Sequence, residues 1–297
     1  MFELFYHPIY TYGIDKESRF PRQRYELTYN ALLALNGSIK FIQPEMVNIK
    51  DIYLSHDKTY VDAFMNSLLS DKEKRRIGLQ PWNKNIVERT RYLIGGSIGA
   101  LDSAVRRNGI AANMAGGTHH AHYSFGSGYC IFNDLAICAL KCIKEYHHIR
   151  NVLIIDLDVH QGDGTATIFS RNSKVFTFSM HCKSNFPLEK MKSDVDVPIE
   201  KGVEDVKYLE ILTSHLSMLN KIKADIIFFQ AGVDGLKEDS LGHLCLTREG
   251  LKKRNQLIID LSKDKKIPLV VFMGGGYSKP INHSVNAFVD LFKQCSQ

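Results

Sequence analysis

Asp156, Asp158 and His160 stand two residues apart in the stretch Asn151–Gly164, NVLIIDLDVHQGDG. In an extended chain, residues two apart project to the same face, so two carboxylates and an imidazole converge. Oxygen and nitrogen donors in such a group are metal ligands. The preceding run, Val152–Ile155, is apolar, β-branched and too short for a helix that stands alone, and predicts a buried parallel strand. The donors then fall where that strand gives way to its loop, the edge at which open α/β sheets hold ligands. Gly162 and Gly164 are expected to turn the chain sharply around Asp163. A plainer reading, acids capping the next helix, accounts for one Asp but not for D-x-D-x-H on a single face.

Three further apolar runs end in reactive side chains. Ile110–Asn113 leads to His119 and His120, Asp225–Gln230 to Asp234, and Pro268–Met273 to Tyr277. In a parallel sheet all four loops open on one edge. Each signal has a bland counterpart: a surface His pair such as His147-His148, a turn Asp, a core Tyr. Their joint placement favours a site. Asp158, His160 and Asp234 would supply three ligands and leave a position open, as catalytic zinc sites do. Two carboxylates make the set oxygen-rich enough for Fe²⁺ or Co²⁺ to compete. His119 and His120 are then candidates for acid–base work, oriented by Asp156 and Asp163, and Tyr277 for an oxyanion donor.

The elements that must position these groups follow from periodicity. Strands are expected at Phe2–Tyr6, Lys40–Ile42 and Lys174–Met180, besides the four above. Helices are expected at Tyr25–Leu35, stopping at Asn36-Gly37, and at His56–Leu69, Ile86–Arg107, Asn133–Tyr146, Val206–Ile222, Thr247–Ser262 and Asn282–Cys295. The Gly95-Gly96 pair inside a helix implies close packing. Pro81 and Trp82, the only Trp, sit in a loop as rim or anchor. The alternation predicts one domain, 1–297, with a central parallel sheet and helices on both faces.

Composition is that of a globular protein with a large core, 44% hydrophobic and 24% charged. The net charge of +6 is scattered. Clusters at Lys72–Arg76, Lys252–Arg254 and Lys263–Lys266 are expected to be solvated faces, and no direct nucleic-acid binding is expected. No apolar run spans a membrane, and MFELFYHPIY lacks a leader pattern. Six Cys without C-x-x-C suit reduced thiols in a cytoplasm, Cys138 and Cys142 as core residues. The pattern is silent on oligomeric state.

GGTHHA (Gly116–Ala121), DLDVHQGDG (Asp156–Gly164), QAGVD (Gln230–Asp234) and GGGY (Gly274–Tyr277) occur in this order. With them, from His7-Pro8 to Tyr277, the chain resembles the zinc-dependent histone deacetylase superfamily. The segments RFPRQRY and PW…IVERTRYLIGGSIGAL and the short length look most like the class IV branch and its bacterial relatives. The resemblance implies an arginase/deacetylase-type α/β fold and hydrolysis of acyl-lysine in a protein or peptide. It puts one Zn²⁺ on Asp158, His160 and Asp234. It makes His120 the general base and later acid, backed by Asp163, with His119 paired to Asp156 and Tyr277 polarising the carbonyl. The acyl tunnel would run between Tyr129 and Phe186, with Gly128 on its wall. K⁺ would sit on Asp156, Asp158 and His160 with Ser179 and the Met180 backbone. A second potassium site at Phe169, Asn172 and Val175 lacks its usual Tyr, replaced by Ser193, and D-P-L-G becomes Asp239-Ser240-Leu241-Gly242.

Two enzymatic alternatives share this fold. An acetylpolyamine amidohydrolase would want acids at the pocket mouth, and no convincing set stands out. An arginase-like dimetal enzyme needs another carboxylate where Leu236 stands. A non-enzymatic acyl-lysine reader would not need His119, His120 and Tyr277 together. The branch resemblance also implies long fatty acyl chains as substrates if the foot of the tunnel, around Phe20–Arg24, is open.

Overall fold

Apolar β-branched runs pair into one sheet in the structure, a computed structural model that describes residues 1–35 and 38–297. Among the described residues the strands are β1 (Phe2–Phe5), β2 (Ile39–Ile42), β3 (Ile110–Asn113), β4 (Val152–Asp156), β5 (Val175–Cys182), β6 (Val195–Ile199), β7 (Ile226–Gln230) and β8 (Leu269–Phe272). All pairings are parallel, in the order β2-β1-β3-β8-β7-β4-β5-β6. This is the α/β architecture expected from the alternation. β7 and β8, late in the chain, lie in the middle. They join a half-sheet of β1–β3 to one of β4–β6.

Strand residues alternate between two cores, which is why the central strands are apolar on both faces. Leu153, Ile155, Ile227 and Phe229 face the helices Asp205–Lys221, Arg248–Lys265 and Asn282–Cys295 through Leu212, Ile258 and Phe288. Val152, Ile154, Ile226 and Phe228 face the helices Lys84–Arg107 and Asp134–Glu145 through Leu101, Ala104, Leu135 and Cys142. Cys138 and Cys142 are core residues, and the six thiols are free. The Gly95-Gly96 pair is explained by contact. A Cβ on Gly95 would run into the Glu45 carbonyl, and one on Gly96 into the Tyr10 hydroxyl.

Several boundaries differ from the sequence reading. The first long helix is Gln23–Leu33; its expected stop at Asn36-Gly37 lies outside the described residues. The expected His56–Leu69 helix is Lys58–Met65, because Asp57 caps it by accepting from Tyr60 N. Four unforeseen short helices are Ile9–Tyr12, Ile49–Ile52, Asp163–Phe169 and Asp71–Ile77. The basic cluster at Lys72–Arg76 lies on the last of these. Trp82 packs edge-on to Phe64 with centroids 6.4 Å apart, which makes it an anchor of its loop. Among the described residues no helix is long and apolar enough to cross a membrane.

Candidate active site

The carboxyl ends of β3, β4, β7 and β8 do converge. β4 ends on Asp156, and its loop folds back on its own acids. Asp158 N donates to Asp156 Oδ1 at 3.1 Å, and His160 N donates to Asp158 Oδ1 at 3.0 Å. Neighbouring loops close the site. Val159 N donates to Asp234 Oδ1 at 2.9 Å, and Gly275 N to Asp158 Oδ2 at 2.8 Å. His160 Nδ1 stands 3.1 Å from Asp158 Oδ1 and 3.0 Å from Asp234 Oδ2. One donor atom each from Asp158, His160 and Asp234 lies within 4.8 Å of the others, and all three residues are buried. Burial and the Asp158 charge push the Asp234 carboxyl up to about 7. Burial opposes the His160 charge, but Asp158 and Asp234 push it up to about 10. Two carboxylates this near each other need a cation between them. A divalent metal held by these N and O donors satisfies that need, so the residues fit the implied ion.

Each tandem histidine has its own carboxylate. His119 Nδ1 lies 2.7 Å from Asp156 Oδ2, and His120 Nδ1 lies 2.6 Å from Asp163 Oδ1. Burial opposes a charged His119, but Asp156 and Asp158 outweigh it and push the ring up to about 9. Burial, then the adjacent His119, pushes His120 down to about 4. The expected sharp turn is present at Gly162, an inverse γ-turn with φ −75° and ψ 69° in which Asp163 N donates to the Gln161 carbonyl at 2.9 Å, but neither Gly162 nor Gly164 uses the positive φ that favours glycine. They provide room: a Cβ on Gly162 would strike the Asp156 carboxylate, and one on Gly164 the Ala121 carbonyl.

His119, His120, Asp158 and His160 line one cavity with Gly116, Gly117, Thr118, Gly128, Tyr129, Gly274 and Tyr277. Gly128 has φ +52°, and a Cβ there would come within 2.8 Å of His120 Cδ2. Tyr129 follows at φ +66°, its ring 6.0 Å from that of Tyr277. Phe186 packs edge-on to His120 at 4.9 Å and is 42% exposed, which puts it at the mouth. Tyr277 is held by the Asp239–Gly242 turn: its N donates to Asp239 Oδ2 at 2.6 Å, and Ser240 Oγ donates to its carbonyl at 2.7 Å. The Ser in place of Pro therefore adds a bond to the Tyr loop. Burial holds the Tyr277 hydroxyl well above its ordinary range, so it stays a neutral donor.

Ser179 pairs in register with Asp156 across β4 and β5, and Met180 is buried beside it. The carbonyls of Phe169 and Asn172 accept from Asn172 N and Val175 N, within a local turn.

Sequence reasoning passed over five residues here, Arg89 on the cavity lining among them. His122 Nε2 shares Asp163 at 3.1 Å, and the H-H-A-H spacing was its signal. Asn185 Nδ2 lies 3.4 Å from His160 Nε2 and donates to the Leu241 carbonyl at 2.6 Å. Arg254, expected on a solvated face, is 1% exposed. Its NH1 donates to the Leu157 and Gly232 carbonyls at 3.1 and 2.6 Å, and its NH2 to Ala231 at 3.0 Å. It ties together the two loops that carry Asp158, His160 and Asp234. Arg24 was noted only as part of a loop.

The family model for the histone deacetylase domain matches residues 18–291, and the chain belongs to that family. An uncharacterised protein of Picosynechococcus sp. is 43% identical over 288 residues, 96% of this chain and 95% of its own. The acetoin utilization protein AcuC of Staphylococcus aureus is 30% identical over 291 residues, 90% of this chain and 74% of its own. Histone deacetylase 2 of Arabidopsis thaliana is 28% identical over 279 residues, 90% and 71%. Membership makes the chain a hydrolase of the deacetylase type.

Proposed function

We propose that this chain hydrolyses Nε-acyl-lysine with one zinc ion held by Asp158, His160 and Asp234. The observation that carries the reading is the three-donor cluster beside two His–Asp pairs, with Asp158, His160, His119 and His120 lining one cavity. Zinc, when bound there, polarises a carbonyl and acidifies water. His120, its Nδ1 engaged by Asp163, offers Nε2 to take the proton of the attacking water and to return it to the departing lysine nitrogen. His119, charged against Asp156, stabilises negative charge that develops on the acyl oxygen. Tyr277 donates its hydroxyl to that oxygen. Gly128, Tyr129 and Phe186 form the walls along which the lysine stem lies. A potassium ion on Asp156, Asp158, His160, Ser179 and the Met180 carbonyl belongs to the same reading as a structural ion.

The foot of the cavity is lined by Phe20, Arg24, Tyr25, Arg89 and Leu93. Two guanidiniums offer a fatty chain little to pack against, so the acyl group in this reading is short. A small acylated amine, such as an acetylpolyamine, is the second reading, favoured by the small molecule in the name of the Staphylococcus relative. Against it, the groove beside Tyr129 mixes Arg19, Lys74 and Arg75 with Glu17 and Asp71, which gives a polycation no acidic mouth. The test is a panel of acyl-lysine peptides and acylated polyamines, run with the metal content quantified. Turnover of peptides by a one-zinc protein is expected. Turnover confined to polyamines, or metal-free turnover, overturns the reading.

A further inference from the structure

Arg24 and Arg89 lie at the foot of the catalytic cavity, 2% and 3% exposed. Among the described residues, neither guanidinium has a carboxylate within ion-pair distance. Arg24 NH1 donates to the Gly276 carbonyl at 3.1 Å, and its NH2 to the Tyr25 hydroxyl at 3.3 Å. Arg89 Nε donates to the Tyr10 carbonyl at 3.1 Å, and its NH2 to the same Tyr25 hydroxyl at 3.3 Å. Arg24 Nε is buried with no partner. Aromatic faces supply the remaining contacts: Arg24 stands 4.8 Å from the Phe20 ring centre and 5.5 Å from that of Tyr277.

Two like charges taken out of water beside each other are costly unless an anion joins them. Neutral carbonyls, a hydroxyl and ring faces compensate only in part. The planar forks are fixed by packing and match a carboxylate, which would bridge them with charge-assisted bonds. The cavity they line also holds His119, His120 and Tyr277, so an anion reaches them from the same side as the scissile amide.

We propose that the acyl group removed by this enzyme ends in a carboxylate: the substrate is an Nε-lysine amide of a short dicarboxylic acid, its far carboxylate bound between Arg24 and Arg89. The proposal rests on the amide-hydrolase reading above. Hydrolysis adds the hydroxyl of water to the acyl carbon and a proton to the lysine nitrogen. The C–N bond breaks, and a free dicarboxylate and a lysine amine leave.

One peptide carrying acetyl-, propionyl-, butyryl-, pentanoyl-, malonyl-, succinyl- and glutaryl-lysine in turn tests this on the zinc-loaded protein. At least one carboxylated group is expected to exceed its neutral counterpart of equal length about tenfold or more in kcat/KM, the scale of a charge-assisted bond. Arg89→Met should abolish that advantage. Should the variant fail to fold, a second measurement on the unaltered protein stands in its place. Succinate or glutarate should then protect it against heat at concentrations where butyrate does not. Hydrolysis of acetyl- and butyryl-lysine with no gain from a carboxylate overturns this proposal alone, and leaves the arginines as a site for the released acid. Failure to turn over any acyl-lysine overturns the hydrolase reading, and this proposal with it.

Discussion

His120 Nδ1 is 2.6 Å from Asp163 Oδ1, and that bond leaves Nε2 as the ring's free nitrogen. A base must reach its proton before its basicity matters. We expect His120→Ala to lower kcat by about 10²–10⁴, the range a positioned acid–base group contributes. Asp163→Asn should cost less, because the amide can still hold the ring. Steady-state kinetics on one acetyl-lysine peptide check both, and a variant without His120 that turns over normally would remove it from the mechanism.

Metal analysis should find one divalent ion per chain. Chelation should abolish turnover, zinc should restore it, and a hydroxamate should inhibit by chelating the ion. Asp234→Ala should lose the ion, since it removes one of three donors within 4.8 Å. Two tightly held transition metals per chain would instead favour the dimetal alternative.

Tyr277→Phe should keep the fold and the metal while lowering kcat by about 10²–10³, the usual effect of deleting one oxyanion donor. The loop should survive, because its bonds to Asp239 and Ser240 use the backbone of Tyr277. An unchanged KM with a reduced kcat would place the hydroxyl's role in the transition state.

Arg254→Leu should destabilise the protein by about 3 kcal/mol or more, because three carbonyls lose a buried charged donor. It should also weaken zinc affinity, although Arg254 touches no metal ligand. Denaturant titration and a competitive chelator assay measure the two effects. A stable variant with unaltered affinity would make the arginine dispensable.

His56 gives a pH dependence. Its Nδ1–H donates to the His122 carbonyl at 3.0 Å, and its Nε2 accepts from Asn133 N at 2.8 Å, so the ring is neutral. Burial pushes it down to about 4 from an ordinary 6.5. The unfolded chain takes up this proton below pH 6.5, the folded one only near 4. Its stability contribution is therefore complete above pH 6.5 and is lost as pH falls to about 4, by up to about 3 kcal/mol. His56→Gln, which keeps a donor and an acceptor, should flatten that part of the acid-unfolding curve.

Sequence period and residue type made the central strands and the long helices legible, because burial on both faces leaves apolar runs. Asn282–Cys295 and Ile110–Asn113 match to the residue. β6 escaped because Pro198 argues against a strand; it is tolerated there because β6 is an edge, paired only with β5. Asp71–Ile77 escaped although Ser70 and Glu73 spell out its capping box. Within the site, the chemistry-bearing motifs were visible, since each sits at a strand end. Arg24, Arg89 and Arg254 were not. An arginine in a helical pattern reads as a solvated charge, and only packing between distant segments shows that it is buried.

The place of β7 and β8 in the middle of the sheet bears on how the protein is made. A ribosome releases β1–β3 and then β4–β6 as two pieces that have no strand in common to pair through. Asp158 and His160 emerge early, but Asp234 follows His160 by 74 residues, several seconds of synthesis at roughly 5–20 residues per second. The nascent chain therefore waits with an incomplete ligand set and open strand edges on both pieces. On the proposed function zinc would be acquired only at the end of synthesis, and chain termination before β7 should yield a product that neither binds the ion nor stays out of aggregates.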